Sequence, residues 1–133
     1  MLKINAIIER ASDGTYSVYT NDDMPYGLCG VGSTAHEAVA DWMQCYNEMK
    51  DAAAYDGSAF EDAEFSFAYD VPSFLAYYAG MLNYTGLAKL TGISSAQLSQ
   101  YVSGYRKPSK KTIEKIQTAI NTLGQELSRA QFV

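Results

Sequence analysis

Gln97 and Gln100 stand three residues apart in a stretch where Leu98 and Val102 recur at helical spacing. A glutamine carboxamide accepts from N6 and donates to N7 of adenine, so a helix laid in the major groove would read base edges with these two residues. Ser95 and Ala96 precede them, a hydroxyl suited to a base edge and a methyl suited to the thymine methyl. Just downstream, Arg106, Lys107, Lys110 and Lys111 bring cations for phosphates, and Ser109 is placed to cap a helix whose N-terminal N–H groups favour the same anions. The chemistry implied is recognition of double-stranded DNA. The plainer alternative is a helical protein-binding module whose lysines are only solvated.

Other reactive residues carry weaker signals. Glu9, Asp13 and Asp70 fall at strand ends or turns, where a Mg2+-dependent nuclease places ligands, but their spacing is that of ordinary surface acids. His36 has no second ligand nearby. Gly27, Gly30 and Gly32 lack the lysine and hydroxyl of a phosphate-binding loop and read as turn residues. Cys29 and Cys45 lack C-x-x-C spacing and read as small buried hydrophobes. The expectation is a protein that is not an enzyme, with no catalytic residue, no metal and no cofactor.

What must position these residues is a folded chain. Its 133 residues are 47% apolar and 19% charged, which excludes wholesale disorder and permits one domain or two small ones. No apolar run approaches the roughly 20 residues that span a bilayer, and the alternating N-terminus lacks a signal-peptide pattern, so a cytoplasmic location is expected. Charge divides the chain. Residues 1–70 carry three basic against thirteen acidic side chains, net -10, whereas residues 71–133 carry seven against two, net +5. An acidic module is thus joined to one suited to phosphates.

Residues 2–9 alternate in period two, residues 12–14 supply a turn, and residues 15–20 are rich in β-branched and aromatic side chains, predicting a hairpin. A polar loop over residues 21–27 leads to a short strand at residues 28–31. Thr34 with Glu37 makes a capping box for a helix carrying Ala38, Val39, Trp42, Cys45, Tyr46 and Met49 on one face. An acidic loop with Asp51, Asp56, Gly57, Glu61 and Asp62 follows, then a strand at residues 64–70. The order is β-β-β-α-β. Pro72 opens the second half, with Phe74, Leu75, Tyr78, Met81 and Leu82 at helical spacing. Asn83 caps a short helix that Gly92 stops. Ser94 or Ser95 starts the helix buried through Leu98 and Val102, leaving Gln97, Ser99, Gln100 and Ser103 outward, and Gly104 ends it. Ser109 begins a last helix with Ile113, Ile116, Ile120, Leu123 and Leu127 on one stripe. The fold class expected is α+β, a β-β-β-α-β module at 1–70 and an all-α helix-turn-helix domain at 71–133.

Two resemblances sharpen this. IIERASDGTYSVYT and GVGSTAHEAVADW in the first half resemble the HicB antitoxin fold, a partial, non-catalytic RNase H-like module. LAKLTGISSAQLSQYVSGYRKPS resembles the XRE, or phage-repressor and Cro-like, helix-turn-helix over more than twenty residues. On that fold, the side-chain chemistry above makes Ser95, Ala96, Gln97 and Gln100 the expected base contacts and Arg106, Lys107, Ser109, Lys110 and Lys111 the expected phosphate contacts. Together the two resemblances imply an antitoxin that represses its own operon at operator DNA and sequesters a HicA-like toxin, a small basic ribonuclease to which an acidic first half is complementary. Repressors of this type pair two recognition helices roughly 34 Å apart, so a homodimer or higher even oligomer is expected. The competing expectation is an orphan helix-turn-helix regulator whose first half only oligomerises or binds another protein.

Overall fold

In the computed structural model, which describes residues 1–133, the alternating N-terminus forms β1 (Leu2–Arg10) with Ile4, Ala6 and Ile8 buried and Lys3, Asn5 and Glu9 exposed. Asp13 shapes the following turn, its carboxylate accepting from the N–H and hydroxyl of Thr15 at 2.9 and 2.7 Å. β2 (Tyr16–Thr20) returns antiparallel, in register from Arg10↔Tyr16 to Ala6↔Thr20. β3 (Gly30–Gly32) adds antiparallel to β2, and β4 (Ala63–Tyr69) lies parallel to β1 from Leu2↔Ala63 to Ile8↔Tyr69. The sheet order is β3-β2-β1-β4, and the single helix α1 (Ala35–Asp56) joins β3 to β4. The element order is the one the patterning predicts.

α1 covers one face of this sheet. Thr34 caps it by accepting from the Glu37 N–H at 3.1 Å, but the Glu37 carboxylate accepts from the N–H and hydroxyl of Ser33, one residue earlier than a capping box requires. Trp42 and Ala38 are wholly buried on its inner side, and the Trp42 ring meets Phe65 edge-on at 5.5 Å. β3 reaches the helix because its two residues that approach α1, Gly30 and Gly32, carry no side chain. A Cβ at position 30 would strike the Ala38 carbonyl and stand 2.9 Å from Trp42 Cβ, and one at position 32 would stand 2.6 Å from Glu37 Cβ. Gly30 and Gly32 are thus close-packed strand residues and not turn residues. A cluster of Ile4, Tyr46 and Ala63 closes one end, with Met24, Tyr26, Leu28 and Phe60 against it.

Several boundaries move for identifiable reasons. The acidic loop begins later than its charges imply: the alanines at 52–54 are strong helix formers, α1 runs through Asp51 and Asp56, and Gly57 ends it. The loop at 21–27 is not purely polar, since Met24 and Tyr26 turn inward. The short strand sits at Gly30–Gly32, and the same alternation that buries Gly30 leaves Cys29 exposed. Cys45 is half-buried, and desolvation holds its thiol above the usual range.

The chain divides into two compact units, Met1–Ser73 and Phe74–Val133, the division falling within α2 (Val71–Tyr77). Asp70 starts α2 by accepting from the Ser73 N–H at 3.0 Å, while the Ser73 hydroxyl accepts from the Arg10 N–H at 2.8 Å. The helix is shorter than its apolar spacing suggests, and Met81 beyond it is 73% exposed. α3 (Tyr84–Thr91), α4 (Ser95–Ser103) and α5 (Lys110–Arg129) complete the second unit around Leu87, Ile93, Leu98, Tyr101 and Ile116. No helix is long and apolar enough to cross a membrane.

Candidate nucleic-acid interface

Local capping chemistry fixes the length of each helix in the second unit. Asn83 accepts from the Gly86 N–H at 2.8 Å to begin α3, and Gly92, at φ 74°, ends it in a left-handed conformation that costs a residue without Cβ nothing. Ile93 is buried beneath the turn, and its N–H donates to the Thr91 hydroxyl at 3.1 Å, which itself donates to the Leu87 carbonyl at 2.7 Å. Ser94 then caps α4 by accepting from the Gln97 N–H at 3.2 Å. Two short helices are thereby joined by a three-residue turn with no slack.

α4 buries Leu98 fully and Tyr101 to 2% exposure, whereas Val102 is only half-buried. Both 101 and 102 lie one turn from Leu98, and the larger ring takes the interior. Ser95, Ala96, Ser99 and Ser103 face solvent. Gln97 and Gln100 are half-buried rather than fully outward, and the Gln97 carboxamide donates to the Tyr101 hydroxyl at 2.5 Å. The four residues expected to touch bases lie on one helix, Ser95 and Ala96 exposed and Gln97 and Gln100 half-buried.

Arg106, Lys107, Lys110 and Lys111 are all exposed. The loop that carries the first two is tied to α4, since the Arg106 N–H donates to the Gln100 carbonyl at 3.2 Å. Ser109 caps α5, accepting from the Thr112 N–H at 3.2 Å with its hydroxyl also 3.0 Å from that of Thr112. Its hydroxyl is therefore engaged in the cap, and the first-turn N–H groups of α5 supply the local positive potential. Lys115 lies differently: its Nζ stands 3.5 Å from where a Cβ on Gly92 would be, at the C-terminal end of α3, where a cation is favoured. Sequence reasoning did not single out Tyr101, although an aromatic four residues after Gln97 signals a same-face pair.

The carboxylates of the first unit are engaged separately. Glu9 accepts from the Tyr19 hydroxyl at 2.9 Å, which holds that phenol above its usual pKa. The Thr15 hydroxyl holds Asp13 below the usual carboxylate range. No group of three His, Cys, Asp or Glu side chains gathers in metal-binding proximity.

Residues 79–127 match the model of the helix-turn-helix family. No curated protein and no solved structure matches the chain. α3, the turn at residues 92–94 and α4 are the helix-turn-helix, and the class this indicates is a DNA-binding transcriptional regulator.

Proposed function

We propose that the protein is a HicB-type antitoxin: a sequence-specific autorepressor through residues 71–133, and through residues 1–70 an inhibitor of a HicA-like, mRNA-cleaving toxin. The observation that carries the first part is the tie between α4 and the Arg106–Lys107 loop. It fixes cations for phosphates relative to the helix that bears Gln97 and Gln100, so backbone contacts set the register in which bases are read. Ser95 and Ala96 read beside the glutamines, and Arg106, Lys107, Ser109, Lys110 and Lys111 meet the backbone. The second part rests on the β-β-β-α-β module, on its net charge of -10 and on a sheet face that α1 does not cover, with Glu9, Glu64 and Ser66 exposed. That surface suits a small basic protein. The first unit has no catalytic role in this reading. Two copies act together at a cytoplasmic operator.

Two experiments on the full chain test this. In fluorescence anisotropy, the duplex upstream of the gene binds at least about 10^3-fold tighter than a scrambled duplex, with a slope of log K against log salt near -5 for about six phosphate contacts. No preference and no salt dependence refutes the repressor half. Separately, the tagged chain is purified with the product of any small basic reading frame adjoining its gene. Capture with loss of ribonuclease activity supports the antitoxin half, and self-association alone refutes it in favour of an orphan regulator.

A further inference from the structure

Tyr101 is a tyrosine where the core of α4 needs only an aromatic ring, since the residue is 2% exposed and the phenol oxygen adds a polar atom to a buried position. That oxygen is satisfied by Gln97, one turn earlier, whose Nε2 donates to it at 2.5 Å. A buried ring places its hydroxyl at one point in space, so the hydrogen bond restrains the place and plane of the Gln97 amide.

The orientation has a chemical consequence. With one N–H given to the phenol, the free edge of the Gln97 amide carries Oε1 and the other N–H, one acceptor beside one donor. Adenine presents the complement, the N6 donor beside the N7 acceptor. A hydroxyl both donates and accepts, so an amide turned over would take the phenol proton on Oε1 and show its NH2 to N7 and O6 of guanine; what the phenol restrains is the place of the amide and not its sense. We propose that Tyr101 is a positioning residue that holds the Gln97 amide where it can read a base edge, and so sets how sharply that base pair is discriminated. The inference rests on the reading of α4 as the helix in the major groove, and it adds a determinant of specificity that touches no base.

The test uses the full chain and a library of duplexes with a randomised core, from which bound sequences are selected and counted for the wild type, Gln97→Ala and Tyr101→Phe. The wild type selects a site, and Gln97→Ala flattens one of its positions. At that position Tyr101→Phe weakens the preference for the selected base by about two- to tenfold, the range expected for one net hydrogen bond. Preferences at other positions, affinity for random-sequence duplex and its salt dependence stay as in the wild type. A Tyr101→Phe profile identical to the wild type at the Gln97 position overturns the inference while leaving the DNA-reading assignment intact. Uniform weakening on all duplexes, with a lowered melting temperature, overturns it in favour of a purely structural role. Failure of the wild type to select any site overturns the assignment and the inference together. A second readout needs no variant: in nitrogen-15 spectra of the free wild type, one Gln97 side-chain amide proton is shifted from the free-glutamine value and exchanges slowly. Two ordinary, fast-exchanging protons refute the hydrogen bond directly.

Discussion

Replacing Gly30 by alanine tests the close approach of β3 to α1. The added methyl would strike the Ala38 carbonyl and stand 2.9 Å from both Cβ and N of Trp42, so two of its three nearest neighbours are backbone atoms of a helix that cannot yield independently. The strand has to lift instead, which strains the antiparallel register from Tyr16↔Gly32 to Val18↔Gly30 and opens space beside a fully buried indole. Alanine restricts the unfolded chain and on that account stabilises by about 0.4–1 kcal/mol. Overpacking against backbone costs about 3 kcal/mol, the upper end of the usual range, so the net effect is destabilising by about 2 kcal/mol or more. For a unit of this size that lowers the melting temperature by about 8 °C or more. The chain has one tryptophan, Trp42, so intrinsic indole fluorescence during guanidinium titration reports on the first unit alone. A midpoint equal to or above that of the wild type would refute the packing argument. Gly124→Ala is the control, since nothing lies within 4 Å of its added methyl and it sits inside α5. It stabilises the second unit by about 0.5–1 kcal/mol and leaves the Trp42 transition unmoved.

Lys110→Ala lowers the magnitude of the salt slope by about 1 per protomer and weakens specific and random duplexes alike, whereas Gln97→Ala costs about 1–3 kcal/mol at one base pair, both read by anisotropy. Asn83→Ala removes the cap of α3 and costs about 1 kcal/mol, measured by helix-monitored thermal unfolding. Asp13, Glu37 and Asp62 are each held below the usual carboxylate range, by the hydroxyls of Thr15 and Ser33 and by Lys50 at 2.9 Å. A pKa lower in the folded than in the unfolded state stabilises above the unfolded value, so Trp42-monitored stability holds near neutrality and falls as pH drops below about 4 through the lowered values. Stability that rises on acidification over that range would contradict these assignments.

The helical half was nearly legible from sequence because its signals are local. Asn83 and Ser109 as caps and Gly92 and Gly104 as stops act within three or four residues, and each occupies its expected position, while Ser94 is the one of the two candidate serines that caps α4. The sheet half was legible where alternation is strict, as at Ile4, Ala6 and Ile8. It was misread where an outcome depends on residues distant in sequence. Nothing near Gly30 announces that Ala38 and Trp42 will press on it, and nothing near Met24 announces the Tyr46 cluster it joins. In the candidate interface, the helix and the exposed cations that residue types single out both form as separate, identifiable pieces of structure. The pairing of Gln97 with Tyr101 was missed because Leu98 and Val102 together accounted for the buried side, and only ring size decides that position 101 goes inside.

The parallel pairing of β1 with β4 also bears on how the chain is made. Every pair in that ladder joins residues 61 apart, from Leu2↔Ala63 to Ile8↔Tyr69. Loop-closure entropy is lost before any of these contacts forms, which makes such topologies slow to fold. The caps and turns of α3, α4 and α5 close over a few residues and form fast. On the ribosome the β1–β2 hairpin emerges ahead of β4 and waits, its β4-facing edge unpaired, until residue 69 has followed it out, whereas each helix of the second unit can close as soon as its own residues emerge. Truncation before Ala63 leaves that edge open, a template for association with other chains.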